Sequence, residues 1–171
     1  AKVLLQLDEP ALTAVGDGTI PTASGFGRHR RVEAPELGGA LKPLADGAWL
    51  HCCAPGKWLP VAERAGFAAA AVDTRLFRDS AEIDALVQWA QAGRGLALGV
   101  VDTAAGRVQG VDELVREILR VLRPLELSVP SVDSGVLLTT ACGMASWKLA
   151  DVPGQLAALR RAAALVAEDL Q

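Results

Sequence analysis

The residues of this chain with the chemistry of metal ligands fall where apolar runs end: His51 with Cys52 and Cys53, then Asp73, then Cys142. In an extended strand alternate side chains share a face, so His51 and Cys53 point one way and Cys52 the other. Imidazole nitrogen and thiolate sulfur both suit zinc, which prefers four ligands, so further donors are expected from neighbouring strand ends. Cys142 and Asp73 are the candidates. Taken singly, a cysteine is ordinarily a small buried hydrophobe and a strand-end aspartate ordinarily caps a helix. Joint placement on successive strand tips is what makes zinc the better explanation.

Other polar groups are weaker candidates. Asp8-Glu9 and Asp102 also lie at the ends of apolar runs. Gly16-x-Gly18 and Gly25-x-Gly27 lack the strand-to-helix setting of a nucleotide fingerprint. The cluster Arg28-His29-Arg30-Arg31 has the charge to clamp an anion such as phosphate or a polyglutamate tail, although such clusters are more often solvated loop. Ser24, Ser131 and Ser134 have no accompanying histidine and acid in a nucleophile setting, which argues against hydrolysis. The chain has 3 cysteines, an odd number that fits reduced thiols better than a disulfide framework.

The elements that must position these groups can be read from the apolar pattern. Strands are predicted at Lys2 to Leu7, Trp49 to Cys53, Phe67 to Asp73, Leu96 to Val101 and Gly135 to Thr140. Helices are predicted at about Pro35 to Ala45, Trp58 to Ala65, Ala81 to Gln91 and about Pro153 to Glu168. Another helix carries Val111, Leu114, Val115, Ile118, Leu119 and Leu122 on one face. Thr13 to Val32 has no steady period and reads as a long functional loop. Strands that are continuously apolar and separated by helices or long loops indicate a parallel sheet, hence an α/β fold. Chemistry in such folds gathers at the C-terminal strand ends, in a β/α barrel or in a doubly wound sheet.

The bulk numbers bound the rest. With 171 residues, 51% of them hydrophobic, and a net charge of -3, the chain can bury a real core and is expected to form a single globular unit over residues 1–171. Scattered, nearly balanced charge gives no footprint for nucleic acid or an anionic membrane. Apolar runs such as Phe67 to Val72 are too short to span a bilayer, and nothing resembles a signal peptide, so a cytoplasmic location is the expectation. A closed eight-stranded barrel usually needs about 250 residues, so the chain is expected to be the second half of something larger. The open edges of a half barrel would invite self-association or pairing with a missing N-terminal half.

Several segments taken in order resemble one family. Leu5-Gln6-Leu7-Asp8-Glu9-Pro10-Ala11-Leu12, His51-Cys52-Cys53, Val72-Asp73-Thr74, Gly99-Val100-Val101-Asp102 and Ala141-Cys142-Gly143 resemble the motifs of the C-terminal catalytic barrel of cobalamin-independent methionine synthase. The resemblance implies parallel β/α units of a TIM-type barrel and a zinc-dependent methyltransferase of methionine biosynthesis. Its zinc ligands would be His51, Cys53, Asp73 and Cys142. Asp8, with Glu9 beside it, would hold the substrate's amino group, and Asp102 would be catalytic. Homocysteine is the implied acceptor; another small thiol is the alternative, as is a non-catalytic zinc-binding barrel fragment that needs a partner. Coordination would supply a thiolate at neutral pH without a strong base.

Departures from the family pattern touch the methyl-donor side. Asp73 stands where the family usually has glutamate. Ala104 replaces the family's proton-donating histidine, and Ala14 a carboxylate that helps hold folate. The expected donor is therefore a methyl-corrinoid in place of a methylfolate.

Overall fold

The stripe Leu114, Ile118 and Leu122, spaced by one turn, ends up completely covered, and it anchors the helix Val111–Leu125. That helix belongs to a computed structural model that describes residues 3–55, 57–125 and 135–170. Ser131 and Ser134 lie outside the described residues. Strands β1 (Gln6–Asp8), β2 (Trp49–Cys52), β3 (Ala69–Asp73), β4 (Gly95–Val101) and β5 (Val136–Thr140) are neighbours in chain order. They alternate with helices, and the pairings β1/β2 and β4/β5 are parallel. The α/β expectation of parallel β/α units holds. The chain divides into two compact units, residues 1–71 and 72–171.

In the first unit, β1 and β2 pair with Asp8 opposite His51. Of the strand predicted at Lys2 to Leu7, Lys2 lies outside the described residues and Val3 to Leu5 is not strand, so the strand starts at Gln6. Hydrogen bonding to β2 starts at the Leu5 carbonyl, and Val3, Leu4 and Leu5 are 87%, 55% and 57% exposed. Apolar composition marks a buried strand only where another layer covers it. The predicted loop is also revised, because Leu12–Asp17 forms helix α1. Six residues are too few to display a helical period in sequence. The remainder of the loop turns back on itself through a bridge between Pro21 and Arg28. Helix α2 (Ala34–Leu41), continued by a 3-10 turn at Lys42–Leu44, packs on α3 (Leu59–Ala65). The contact is close at Gly38, where an added Cβ would stand 2.9 Å from Cγ of Arg64. Gly66, at φ 93°, ends α3 in the left-handed conformation that glycine adopts without strain.

In the second unit, β4 is buried throughout Leu96–Val101, as a continuous apolar run predicts. Helix α4 (Ser80–Gln91) opens on a capping box: Asp79 accepts from the Glu82 amide at 2.8 Å while Glu82 receives the Asp79 amide. Helix α5 (Val111–Leu125) buries Leu114, Ile118, Val121, Leu122 and Leu125, and it packs against α6 (Val152–Asp169). A polar knot ties α5 to the tip of β3. Thr74 donates to Glu117 at 2.7 Å, and Arg120 donates to Glu117 and to the Thr74 carbonyl, each at 2.7 Å. Burial alone would raise the Glu117 pKa, but the hydrogen bonds from Arg120 and Thr74 outweigh it and hold the carboxyl below its ordinary range. No helix among the described residues is long and apolar enough to cross a membrane.

Candidate metal centre

His51 is placed by β2. Leu50 and Cys52 are buried on one face while Trp49 and His51 are half-buried on the other, the alternation anticipated from sequence. The ring is fixed by Nδ1, which lies 3.1 Å from the carbonyl oxygen of Ala71. A carbonyl can only accept, so Nδ1 is the donor, and in the neutral ring Nε2 is then the nitrogen that carries the lone pair. Metal-binding histidines are commonly oriented by such a second bond. Cys53 follows one residue after β2 ends. Burial pushes the neighbouring Cys52 thiol up, away from the thiolate form.

Asp8 stands on β1 in register with His51, exposed, and its Oδ1 accepts from Gln6 Nε2 at 2.8 Å. Glu9 is occupied locally: its Oε1 accepts from the Ala11 amide at 3.0 Å, at the entry to α1.

Cys142 is delivered by the end of β5. The β4/β5 register shifts between Gly99 and Val101, and the Ala141 amide then donates to the Val101 carbonyl at 2.9 Å. The Thr140 hydroxyl donates to the Cys142 carbonyl at 2.9 Å. These bonds fix the backbone of the cysteine while leaving its side chain exposed.

Asp73 and Asp102 have a different occupation. Asp73 is 4% exposed and its oxygens accept from Arg75 three times: the amide at 3.0 Å, Nε at 2.9 Å and Nη2 at 2.6 Å. The same guanidinium forms an ion pair with Asp102. Asp102 also accepts from the amides of Ala104 and Ala105, capping the short turn Thr103–Ala105. Arg75 is held firmly charged, first by its hydrogen bonds to Asp73 and then by the charges of both acids. Sequence reading missed Arg75, whose only signal is its position two residues after a strand-end aspartate.

One donor atom each from His51, Cys53 and Cys142 lies within 4.8 Å of the others. Asp73 is not part of that group. None of the three cysteines forms a disulfide. One imidazole and two thiols make a borderline-soft set that fits zinc, whose catalytic sites commonly use three protein ligands and leave one position open. The basic loop does not present a bare cluster of charge, since Arg30 pairs with Glu36 and Arg31 with Glu33.

No family model and no curated protein sequence matches this chain. Among solved structures, the chain is similar in fold to a B12-independent methionine synthase from Shewanella sp. W3-18-1, determined in complex with selenomethionine. The TM-score is 0.62 at 17% identity, over 98% of this chain and 49% of that one. The chain therefore spans about half the length of this neighbour, and what the two share is the fold.

Proposed function

We propose that this chain holds zinc through His51, Cys53 and Cys142 and serves methyl transfer to the sulfur of homocysteine, giving methionine. The observation that carries this reading is the convergence of one imidazole and two thiols within 4.8 Å, with His51 already oriented by Ala71. Zinc, when bound, would keep the acceptor sulfur as a thiolate at neutral pH. Asp8, exposed and in register with His51, would take the acceptor's ammonium group. Asp73 would join the ligands only in competition with Arg75, and Asp102 would serve through its ion pair with Arg75. Ala104 offers no proton to a folate leaving group, which favours a methyl-corrinoid donor over a methylfolate. The chain's span of half its neighbour supports a requirement for a partner segment or self-association before turnover.

Metal content decides the core of this proposal. Wild-type protein is expected to retain about one zinc per chain, and His51→Ala and Cys142→Ser to lose it, with Asp73→Ala keeping most of it. Full zinc in Cys142→Ser, or none in wild type, would overturn the assignment. Acceptor and donor are then separated by assaying homocysteine against coenzyme M, each with methylcobalamin and with methyltetrahydrofolate. Ordinary turnover of methyltetrahydrofolate would rule out the corrinoid preference.

A further inference from the structure

The first unit contains a cavity of about 480 Å³ that involves none of the proposed metal ligands. Its walls come from α1, from the segment Arg31 to Leu37 that opens α2, and from Lys57 to Val61 at the start of α3. The volume lies in the range of small-molecule sites, which bury an apolar body and fix it with a few polar groups. Leu12, Val32, Leu37, Trp58 and Val61 supply the apolar lining, and Arg31 and Lys57 set two cations against the single acid Asp17.

Two details separate this cavity from an ordinary surface dent. Trp58 is 1% exposed, yet its indole N–H has no hydrogen-bond partner among the described residues. Buried donors are nearly always satisfied, so this unpaired one is unusual and marks the indole behind the cavity wall. Lys57 is the second detail, because among the described residues no ion pair engages it, whereas Arg31 already leans on Glu33 at 3.2 Å. The cavity therefore offers one cation that no ion pair among the described residues engages, beside an apolar floor.

We propose that this cavity is a binding site for a small aromatic or otherwise apolar monoanion, its acid group on Lys57 and its body against Trp58 and Leu37. Occupancy does not depend on zinc, so failure of the metal assignment would leave this inference standing, and the reverse is also true.

The test uses 2-naphthoate, with the uncharged 2-naphthamide as its control, titrated into the full chain stripped of metal. The readout is the Trp58 indole resonance in nitrogen–proton correlation spectra, assigned with Trp58→Phe. A saturable shift with naphthoate is expected. Lys57→Glu should weaken naphthoate by about tenfold or more while changing naphthamide by less than about twofold. Gly16→Leu should abolish both responses, since a Cβ at Gly16 already stands 3.7 Å from Cδ1 of Leu37 and the longer side chain would fill the space. Circular dichroism confirms that each variant is folded. Absence of a saturable shift, an equal effect of Lys57→Glu on both probes, or binding retained in folded Gly16→Leu would each overturn the proposal.

Discussion

At Gly99 the β4 backbone passes its neighbours with no space for a side chain. A Cβ there would stand 2.5 Å from Cα of Ala141 and 2.6 Å from the carbonyl oxygen of Val72. Favourable carbon contacts need about 3.5–4.0 Å, so Gly99→Ala would have to displace backbone by about 1 Å. Neither obstacle is a flexible side chain that can swing away. Overpacking of this kind costs about 1–3 kcal/mol, and in a chain of this size each kcal/mol lowers Tm by about 2–4 °C. The expected fall in thermal midpoint is therefore about 2–12 °C, read by circular dichroism. Because the Ala141 amide is bonded to Val101 and Cys142 follows directly, the same displacement should weaken zinc binding in a competition titration. A midpoint within about 1 °C of wild type would refute the close approach of β4 to these two groups, and with it this account of how Cys142 is placed.

The knot at Glu117 predicts a pH dependence. Its folded pKa is lowered, so its contribution to stability is complete above the ordinary glutamate range and is lost as pH falls through the lowered value. Glu117→Gln should cost about 1–3 kcal/mol near neutral pH, and urea titrations should show the gap to wild type closing in acid; a gap that stays constant would disprove the ionic account. On α5, Ile118→Ala should cost about 2–5 kcal/mol because Ile118 is 0% exposed. Leu119→Ala, half-buried on the same helix, should cost less than half as much, and equal losses in chemical denaturation would mean that the buried face has been misassigned.

The parts of this fold legible in sequence are those governed by a short-range period. Leu114, Ile118 and Leu122 repeat at one turn and lie inside; Leu96 to Val101 is unbroken and is buried throughout. The alternation that separates His51 from Cys52 is equally local. What stayed hidden depends on partners far along the chain or on elements too short to show a period. Nothing in the neighbourhood of Thr74 announces Glu117, 43 residues away. Gly99 looks like any glycine in an apolar run until Ala141 is brought against it. Helix α1 is too brief to show a repeat, and the exposed run Val3 to Leu5 looks buried because hydrophobicity reports the residues and not what lies over them.

The carboxylates anticipated at the strand tips sort themselves by local hydrogen bonding. An aspartate that leaves a strand faces the unpaired amides of the next turn, and both Asp73 and Asp102 accept from them. Arg75 then joins the two acids, so one positive charge answers two negative ones and a net negative charge remains. Asp8 has no such tether; its partner is the neutral amide of Gln6. Of these three acids it is therefore the one best able to receive an incoming cation. With Asp73 tied to Arg75, the donors left among the described residues are one nitrogen and two sulfurs. Three protein donors with a fourth place for substrate is the arrangement that the proposed reactive zinc requires, whereas a structural zinc takes four protein ligands.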